Sequence, residues 1–159
     1  MTSSGTATVT LPNDTQILIT RVFDAPRHLL YKAWTTPELI KRWWSGDRGE
    51  VTLVEVDLRV GGMWRYVMVA NGGFEVAFHG EYRELVPCER IVSTEVYEGA
   101  PKHEALTTVT FAETDGRTTL EIRQQVASRE VRDAIVATGM EDGLQDALDL
   151  LEQVAAARR

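Results

Sequence analysis

The chain is dominated by segments in which apolar and polar residues alternate, which is typical of half-buried β-strands. The first, QILITRVFD at 16–24, predicts one strand, and glycine-, proline- and asparagine-containing turns separate the later ones. These later predicted strands are 51–58, 63–70, 74–86, 90–98, 104–114 and 117–126. Because their links are short, the pattern favours an antiparallel meander over parallel strands with helical crossovers.

Two short helices are predicted between the first strand and the others. Pro26 and Pro37 suit the first turn of a helix, with Asp24 and Thr36 as the preceding N-caps.

A long helix is predicted from Arg129 to Ala157, with Ser128 as its N-cap, because apolar residues recur there every three or four positions. Gly139 and Gly143 should either kink this helix or allow a close approach of the sheet or a ligand. The apolar stripe is Val136, Met140, Leu144, Ala147, Leu151 and Val154. The opposite face, expected to be exposed, is Asp142, Gln145, Asp146, Asp149, Glu152 and Gln153.

Side-chain type predicts the register of two hairpins, since a slip of one residue would move the apolar set to solvent. A three-residue loop at 71–73 places 64, 66 and 68 opposite 80, 78 and 76. An Asp115-Gly116 turn places 111, 109 and 107 opposite 120, 122 and 124. Each hairpin then has one apolar and one polar face, so the sheet needs a cover. The polar face is Arg65, Glu75, His79, Glu81, Arg83, Glu121 and Arg123.

The length of 159 residues suits one domain. We expect residues 1–15, which are rich in Ser and Thr, to be flexible, and residues 16–156 to form a single α+β domain. A net charge of −7 argues against a nucleic-acid partner. No run is apolar enough to span a membrane, and the start lacks the features of a secretory signal. One cysteine, Cys88, cannot form an internal disulfide, which favours a cytoplasmic protein.

Four local strings resemble one known family: FDAPRHLLYKAWTTPELIKRWW, DLRVGGMWRYVM, HGEYRELVPCERIVSTE and TGMEDGLQDALDLLE. They are similar to the START-like (SRPBCC, birch-pollen-allergen-like) superfamily, in the branch of activator of heat-shock-protein-90 ATPase homologues. The resemblance covers about residues 16–156 and implies a helix-grip fold. In that fold a seven-stranded curved antiparallel sheet wraps the C-terminal helix and encloses a cavity. Members of the superfamily often bind small hydrophobic molecules.

The expected cavity wall is the set of aromatic and aliphatic side chains on the apolar face, closed at one end by Trp34, Trp43 and Trp44. A filled core is the alternative reading of the same residues. The candidate ligand-binding residues are Trp34, Trp43, Trp64, Tyr66, Met68, Phe74, Val76, Phe78, Gly80, Tyr82, Phe111, Leu120, Ile122, Met140 and Leu144. Gly80, opposite Trp64, should leave space beside the indole ring.

Catalytic chemistry has weak support in the sequence. His28, His79 and His103 are scattered, and no metal-ligand spacing or nucleophile motif is present, so we predict no catalytic residue, metal or cofactor. Some relatives of this fold are polyketide cyclases or aromatases. For such an enzyme the candidate catalytic residues would be only Arg65, Tyr66, His79 and Tyr82.

Three functions therefore stand as hypotheses. The first is a monomer or homodimer that binds or carries a small hydrophobic molecule, such as a lipid or aromatic metabolite. The second is a cyclase-like enzyme using the same cavity, which a polar group pointing into it would favour. The third is a module that binds a chaperone or another protein, which a filled core with a broad exposed apolar patch would favour.

Overall fold

Eight strands and four helices form within residues 6–157, the part of the chain that this computed structural model describes. The strands are β1 Thr8–Thr10, β2 Gln16–Phe23, β3 Gly49–Val56, β4 Met63–Ala70, β5 Glu75–Val86, β6 Arg90–Tyr97, β7 Glu104–Thr114 and β8 Arg117–Gln125. The helices are α1 Arg27–Thr35, α2 Pro37–Trp43, α3 Arg129–Ala137 and α4 Met140–Ala156.

All eight strands lie in one antiparallel sheet, in the order β1-β2-β8-β7-β6-β5-β4-β3. The register shifts within β3, between Val51 and Leu53, and within β5, between Tyr82 and Glu84. Irregularities of this kind bend a strand and increase its twist. The predicted α+β helix-grip architecture is confirmed.

An eighth strand, β1, adds to the seven that the sequence pattern predicted. It pairs with β2, with Val9 opposite Ile19. The segment before it is fastened to α4, because Gln145 accepts a hydrogen bond from the Ala7 amide at 3.0 Å and donates one to the Ala7 carbonyl at 2.7 Å. Residues 1–5 of the segment expected to be flexible lie outside the described residues.

Both predicted hairpin registers are confirmed. Across β4 and β5 the pairs are 64/80, 66/78 and 68/76, and across β7 and β8 they are 111/120, 109/122 and 107/124. The predicted polar face is also the outer face, where Arg65 and His79 are more than one-third exposed.

The helical segments differ from the prediction at the C-terminal helix and at the N-caps of both short helices. Thr36 occupies the N-cap position of α2, but its side chain makes no capping hydrogen bond. The C-terminal helix is two helices, because Gly139 adopts a φ of 77°, a left-handed conformation that a continuing helix cannot contain. Helix α1 is preceded by Pro26, and Asp24 does not cap it: the Asp24 amide instead donates to Glu152 at 2.9 Å. Ser128 caps α3 as predicted, its Oγ accepting from the Val131 amide at 3.2 Å.

The main core lies between the inner face of the sheet and helices α1, α2 and α4. Leu151 is fully buried as predicted, and Leu148, which the stripe omitted, is also fully buried. Met140 and Leu144 are half-buried and pack against this core.

The face of α4 that was expected to be exposed is partly covered. Asp142 and Asp149 are exposed, whereas Asp146 and Glu152 are half-buried. Glu152 is half-buried because it pairs with Arg21, a buried residue of β2. The Arg21 guanidinium lies 2.7 Å from Asp149 and 3.3 Å from Glu152. These ion pairs join β2 to α4.

Candidate functional site

A partly enclosed cavity of about 210 Å³ lies between the two short helices and the inner face of β4–β7. Its walls comprise aromatic residues, two aliphatic residues and a group of polar side chains. The lining residues are Trp34, Trp43, Trp44, Trp64, Tyr66, Phe78, Tyr82, Ile91, Ser93, Glu95, Thr107 and Val109. The interior is therefore not completely filled by side chains.

Two tryptophans of consecutive helices form one end of the cavity. Trp43 is buried and its Nε1 donates to the Ala33 carbonyl at 3.0 Å, which fastens α2 to α1. Trp34 packs against it with ring centroids 4.8 Å apart. Because its indole nitrogen already has a partner, Trp43 offers a ligand an apolar surface.

A second aromatic group connects α2 to the sheet. Trp44 packs edge-on against Tyr66 and against Phe78, with ring centroids 5.3 Å and 5.6 Å away. Tyr66 in turn lies 4.8 Å from the Trp64 ring. Contacts of this geometry are favourable beyond their buried area, so these rings form a stable aromatic wall.

The polar wall of the cavity follows one cross-strand row of the sheet. Tyr82 of β5 pairs with Ser93 of β6, Ser93 with Thr107 of β7, and Thr107 with Gln124 of β8. Glu95 lies two residues beyond Ser93 on the same face of β6 and accepts a hydrogen bond from Gln124 Nε2 at 3.0 Å. The Thr107 hydroxyl is buried and has no hydrogen-bond partner among the described residues. A group in the cavity could supply that partner.

Among the described residues that line the cavity, Glu95 alone carries a carboxyl group. Removal from water raises its pKa, because burial disfavours the charged form, and the hydrogen bond from Gln124 opposes this only in part. Such a carboxyl group can gain or lose a proton when a ligand changes its surroundings.

The two cavity tyrosines remain neutral hydroxyl groups. Burial, followed by the nearby Tyr82 and Glu95, raises the pKa of Tyr66 well above its usual value. Burial also raises the pKa of Tyr82 to about 12. At neutral pH both residues can therefore donate or accept hydrogen bonds, but neither is an available base.

Six of the predicted site residues line this cavity. They are Trp34, Trp43, Trp64, Tyr66, Phe78 and Tyr82. They come together because the confirmed register of β4 and β5 puts 64, 66, 78 and 82 on one face, and because α1 and α2 lie over that face.

Most of the other predicted residues lie in packed regions. Phe111, Leu120 and Ile122 are buried in the core beside the cavity, at the end of the sheet that α1 covers. Met68 packs against a smaller apolar cluster around Ile40. Val76, its cross-strand partner, is half-buried. None of these side chains lines the cavity.

Phe74, Met140 and Leu144 also lie outside the cavity lining. Phe74 is 62% exposed because it precedes β5 in the 71–74 turn, beyond the helices that cover the sheet. Met140 and Leu144 pack against the core from α4.

Gly80 leaves no open space beside Trp64, contrary to the prediction. A Cβ atom at this position would lie 1.8 Å from the Thr94 carbonyl oxygen and 2.6 Å from Trp64 Nε1. The backbone of β6 therefore occupies the space, and glycine is needed there for the close approach of the two strands.

A larger but open groove of about 470 Å³ lies on the outer face of the sheet. Three of its polar groups already bond to one another: Glu98 accepts from Arg65 at 2.8 Å and 2.9 Å and lies 2.9 Å from His79 Nδ1. The hydrogen bonds from Arg65 and His79 lower the pKa of Glu98 to about 2. We take this as an ion-pair cluster of the surface, which agrees with the outward orientation predicted for Arg65 and His79.

Ser93, Glu95 and Thr107 of the polar wall line the cavity but were not among the predicted site residues. The alternation of 91, 93 and 95 in β6 was the available signal. Pairing β6 with β7 through the Gly99–Pro101 turn would have placed those three residues on the inner face. Trp44 was expected near the cavity end and does line it.

This arrangement defines a class of protein: a helix-grip domain with an aromatic cavity that carries a polar wall. The chain belongs to the family of Activator of Hsp90 ATPase homolog 1-like proteins, whose family model matches residues 24–156.

Solved structures of other proteins share this fold. A protein from Rhodobacter sphaeroides is 26% identical with a TM-score of 0.87, over 95% of this chain and 99% of its own. A protein from Chromobacterium violaceum is 31% identical with a TM-score of 0.79, over 90% of this chain and 98% of its own. A Mycobacterium smegmatis protein, 23% identical with a TM-score of 0.83 over 93% of this chain and 96% of its own, shares the fold. Comparison with curated proteins finds no match. Within the described residues, none of the helices combines the length and apolar character needed to cross a membrane.

Proposed function

We propose that the protein binds a small, largely apolar molecule in the cavity between α1, α2 and β4–β7. The supporting observation is the partly enclosed cavity of about 210 Å³, which is lined by both aromatic and polar side chains. Apolar pockets with a few convergent polar groups are the usual form of a small-molecule site.

The volume favours a compact ligand. A dry cavity of about 150 Å³ accommodates benzene, so the present cavity suits one aromatic ring with a short substituent. A long acyl chain would need a larger cavity than the described residues enclose. Among the hydrophobic ligands that the sequence left open, an aromatic metabolite is therefore favoured over a lipid.

The experiment measures the binding of propylbenzene through tryptophan fluorescence and thermal unfolding. Four tryptophans line the cavity, so occupancy should change the emission. At a concentration tenfold above Kd, a ligand specific for the folded state stabilises it by about 1.4 kcal/mol. For a chain of this length the expected rise in Tm is about 3–5 °C. Hexadecanoate serves as the long-chain comparison and should bind more weakly.

A substitution that fills the cavity tests where the ligand binds. Ser93→Leu adds apolar volume to the lining of the cavity, and we expect it to abolish propylbenzene binding while the protein stays folded. Val92→Leu is the matched control, because residue 92 is adjacent on β6 and points to the other face. Equal propylbenzene binding by Ser93→Leu and the wild type would show that the cavity is not the site.

A second candidate function is a cyclase-like enzyme, which one observation favours: the polar groups of Glu95, Tyr66 and Tyr82 point into the cavity. A carboxyl group with a raised pKa can serve as a general acid or base. Removal of a proton next to a carbonyl group is the step to test. Incorporation of deuterium into the methyl group of acetophenone, followed by NMR, should be faster with the protein and should lose that acceleration in Glu95→Gln. No acceleration by the wild type would argue for binding alone.

The protein-interaction hypothesis has less support. Its expected signature was a filled core with a broad exposed apolar patch, and the core contains a cavity. Exposed apolar side chains do occur in the β3–β4 loop, at Leu58 and Val60, and at the start of β4, at Met63.

A further inference from the structure

We propose that the cavity selects organic ammonium ions, whose charged head would lie between Glu95 and the aromatic rings of Trp44 and Tyr66. This inference rests on the proposed function, because it concerns the ligand class of the same cavity. It goes further by assigning the ligand a positive charge and an aromatic or short alkyl body.

The aromatic wall provides one half of such a site. Trp44, Tyr66 and Phe78 meet edge to face, so the rings present faces in different directions around one space. The faces of aromatic rings carry negative electrostatic potential and attract cations, as in the aromatic cages that bind quaternary ammonium groups. An apolar ligand needs only contact area from such rings, whereas a cation also gains from their electrostatic potential.

Glu95 provides the other half, since it is a half-buried acidic group without a positively charged partner among the described residues. Its hydrogen-bond partner is the neutral side chain of Gln124, and none of the described residues that line the cavity is a lysine, arginine or histidine. Unpaired buried carboxyl groups are costly, and buried charges in proteins are normally paired. An ammonium ion would supply the missing countercharge.

Thr107 strengthens the assignment. Its buried hydroxyl oxygen has no hydrogen-bond partner among the described residues, although it can accept as well as donate. An ammonium group has three donors and no acceptor. The carboxylate of Glu95 and the hydroxyl of Thr107 lie on adjacent strands, so together they could accept two of those donors.

The titratable groups that face Glu95 favour coupling between binding and proton release. Tyr66 of β4 and Tyr82 of β5 have raised pKa values and stay neutral. The other strands facing Glu95 contribute the neutral Thr107 from β7 and Gln124 from β8, and α1 and α2 contribute tryptophans. A bound cation would favour the ionised form of Glu95, so the carboxyl group would lose its proton as the ligand enters.

The test compares three ligands with equal numbers of non-hydrogen atoms: 2-phenylethylamine, 2-phenylethanol and propylbenzene. At pH 7 we expect the amine, which is then a cation, to bind at least about 10-fold more tightly than either neutral ligand. In Glu95→Gln the amine should lose at least about 10-fold in affinity, while propylbenzene should stay within about 3-fold. The matched control is Glu121→Gln, which neutralises an exposed carboxylate on the outer face of β8 and should change neither affinity.

Calorimetry gives an independent readout. Titrations at a pH below the pKa of Glu95, in buffers with different enthalpies of protonation, should show that the amine releases a proton from the wild type and none from Glu95→Gln. Propylbenzene should release none from either protein. Its binding to Glu95→Gln also shows that this variant keeps a folded cavity.

The outcomes separate this inference from the proposed function. If the wild-type protein bound either propylbenzene or 2-phenylethanol as tightly as the amine, the proposed preference for cations would be refuted. The proposed binding function would remain intact. An amine affinity unchanged in Glu95→Gln would likewise refute the role of Glu95. Failure of all three ligands to bind would refute the proposed function and this inference together.

Discussion

Replacing threonine by valine at three positions tests whether the polar wall belongs to a binding site or to the structural framework. The change keeps the side-chain shape and exchanges a hydroxyl for a methyl group. Thr107 is 8% exposed and its hydroxyl has no partner among the described residues. Thr118 is fully buried, and its hydroxyl donates to the Ala25 carbonyl at 2.7 Å. Thr108 neighbours Thr107 on β7 and points to the opposite face.

The structure predicts three different results from this one change. For Thr107→Val the free energy of unfolding should rise by about 1 kcal/mol, because a buried hydroxyl without a partner costs about 1–3 kcal/mol and the cavity relieves part of that cost. For Thr118→Val it should fall by about 1–3 kcal/mol, because the Ala25 carbonyl loses its donor. For Thr108→Val it should change by less than about 0.5 kcal/mol, as is usual away from buried features.

The assay is chemical denaturation without ligand, followed by circular dichroism, with the slope of the transition compared among the three variants. An unchanged slope shows that the variants differ in stability and not in the compactness of either state. If Thr107→Val destabilised the protein as much as Thr118→Val, the hydroxyl of Thr107 would be a structural hydrogen-bonding group. This hydroxyl group of the polar wall would then not be available to bind a ligand.

Three further predictions concern stability. Leu151→Ala should lower the free energy of unfolding by about 2–5 kcal/mol, because Leu151 is fully buried. In the same denaturation assay, Leu150→Ala, at a half-buried neighbour on α4, should lower it by at least about 1 kcal/mol less. A loss below about 0.5 kcal/mol for Leu151→Ala would mean that the apolar stripe is not buried. Glu98→Gln should cost about 1 kcal/mol or less at neutral pH, as for other surface ion pairs. Since the folded-state pKa of Glu98, about 2, is below the usual 4.5, that contribution is present above the usual pKa and should disappear as the pH falls towards 2; a cost that persisted at the lowest pH would contradict the ion-pair explanation. The free energy of unfolding depends on pH in the opposite direction for Glu95, because burial raises its pKa in the folded protein. As the pH rises above the usual value of 4.5, the carboxyl group ionises more readily in the unfolded chain, and the folded protein loses stability. Glu95→Gln should therefore raise Tm at pH 7 but not at pH 3. Equal Tm differences at the two pH values would show that Glu95 titrates normally.

Local patterns in the sequence were sufficient for most of the sheet. The alternation in β4, β5, β7 and β8, together with the turn lengths at 71–73 and 115–116, predicted the registers that the structure shows. The reason is physical: a period-2 pattern with one apolar face tolerates no slip of one residue. The resemblance of four strings to one family likewise predicted the helix-grip fold.

The contents of the cavity required the tertiary structure. Glu95 and Thr107 are polar residues that a pattern of apolar positions passes over. They face inward because of the register in which β6 pairs with β5 and β7. The hydrogen-bond partner of Glu95, Gln124, comes from β8, which is not adjacent to β6. Gly80 shows the same limit, since the Thr94 carbonyl that fills the space beside it belongs to β6. Alternation along a strand determines which side chains share a face, but whether that face is packed, blocked or left open depends on the helices and strands that other parts of the chain bring against it.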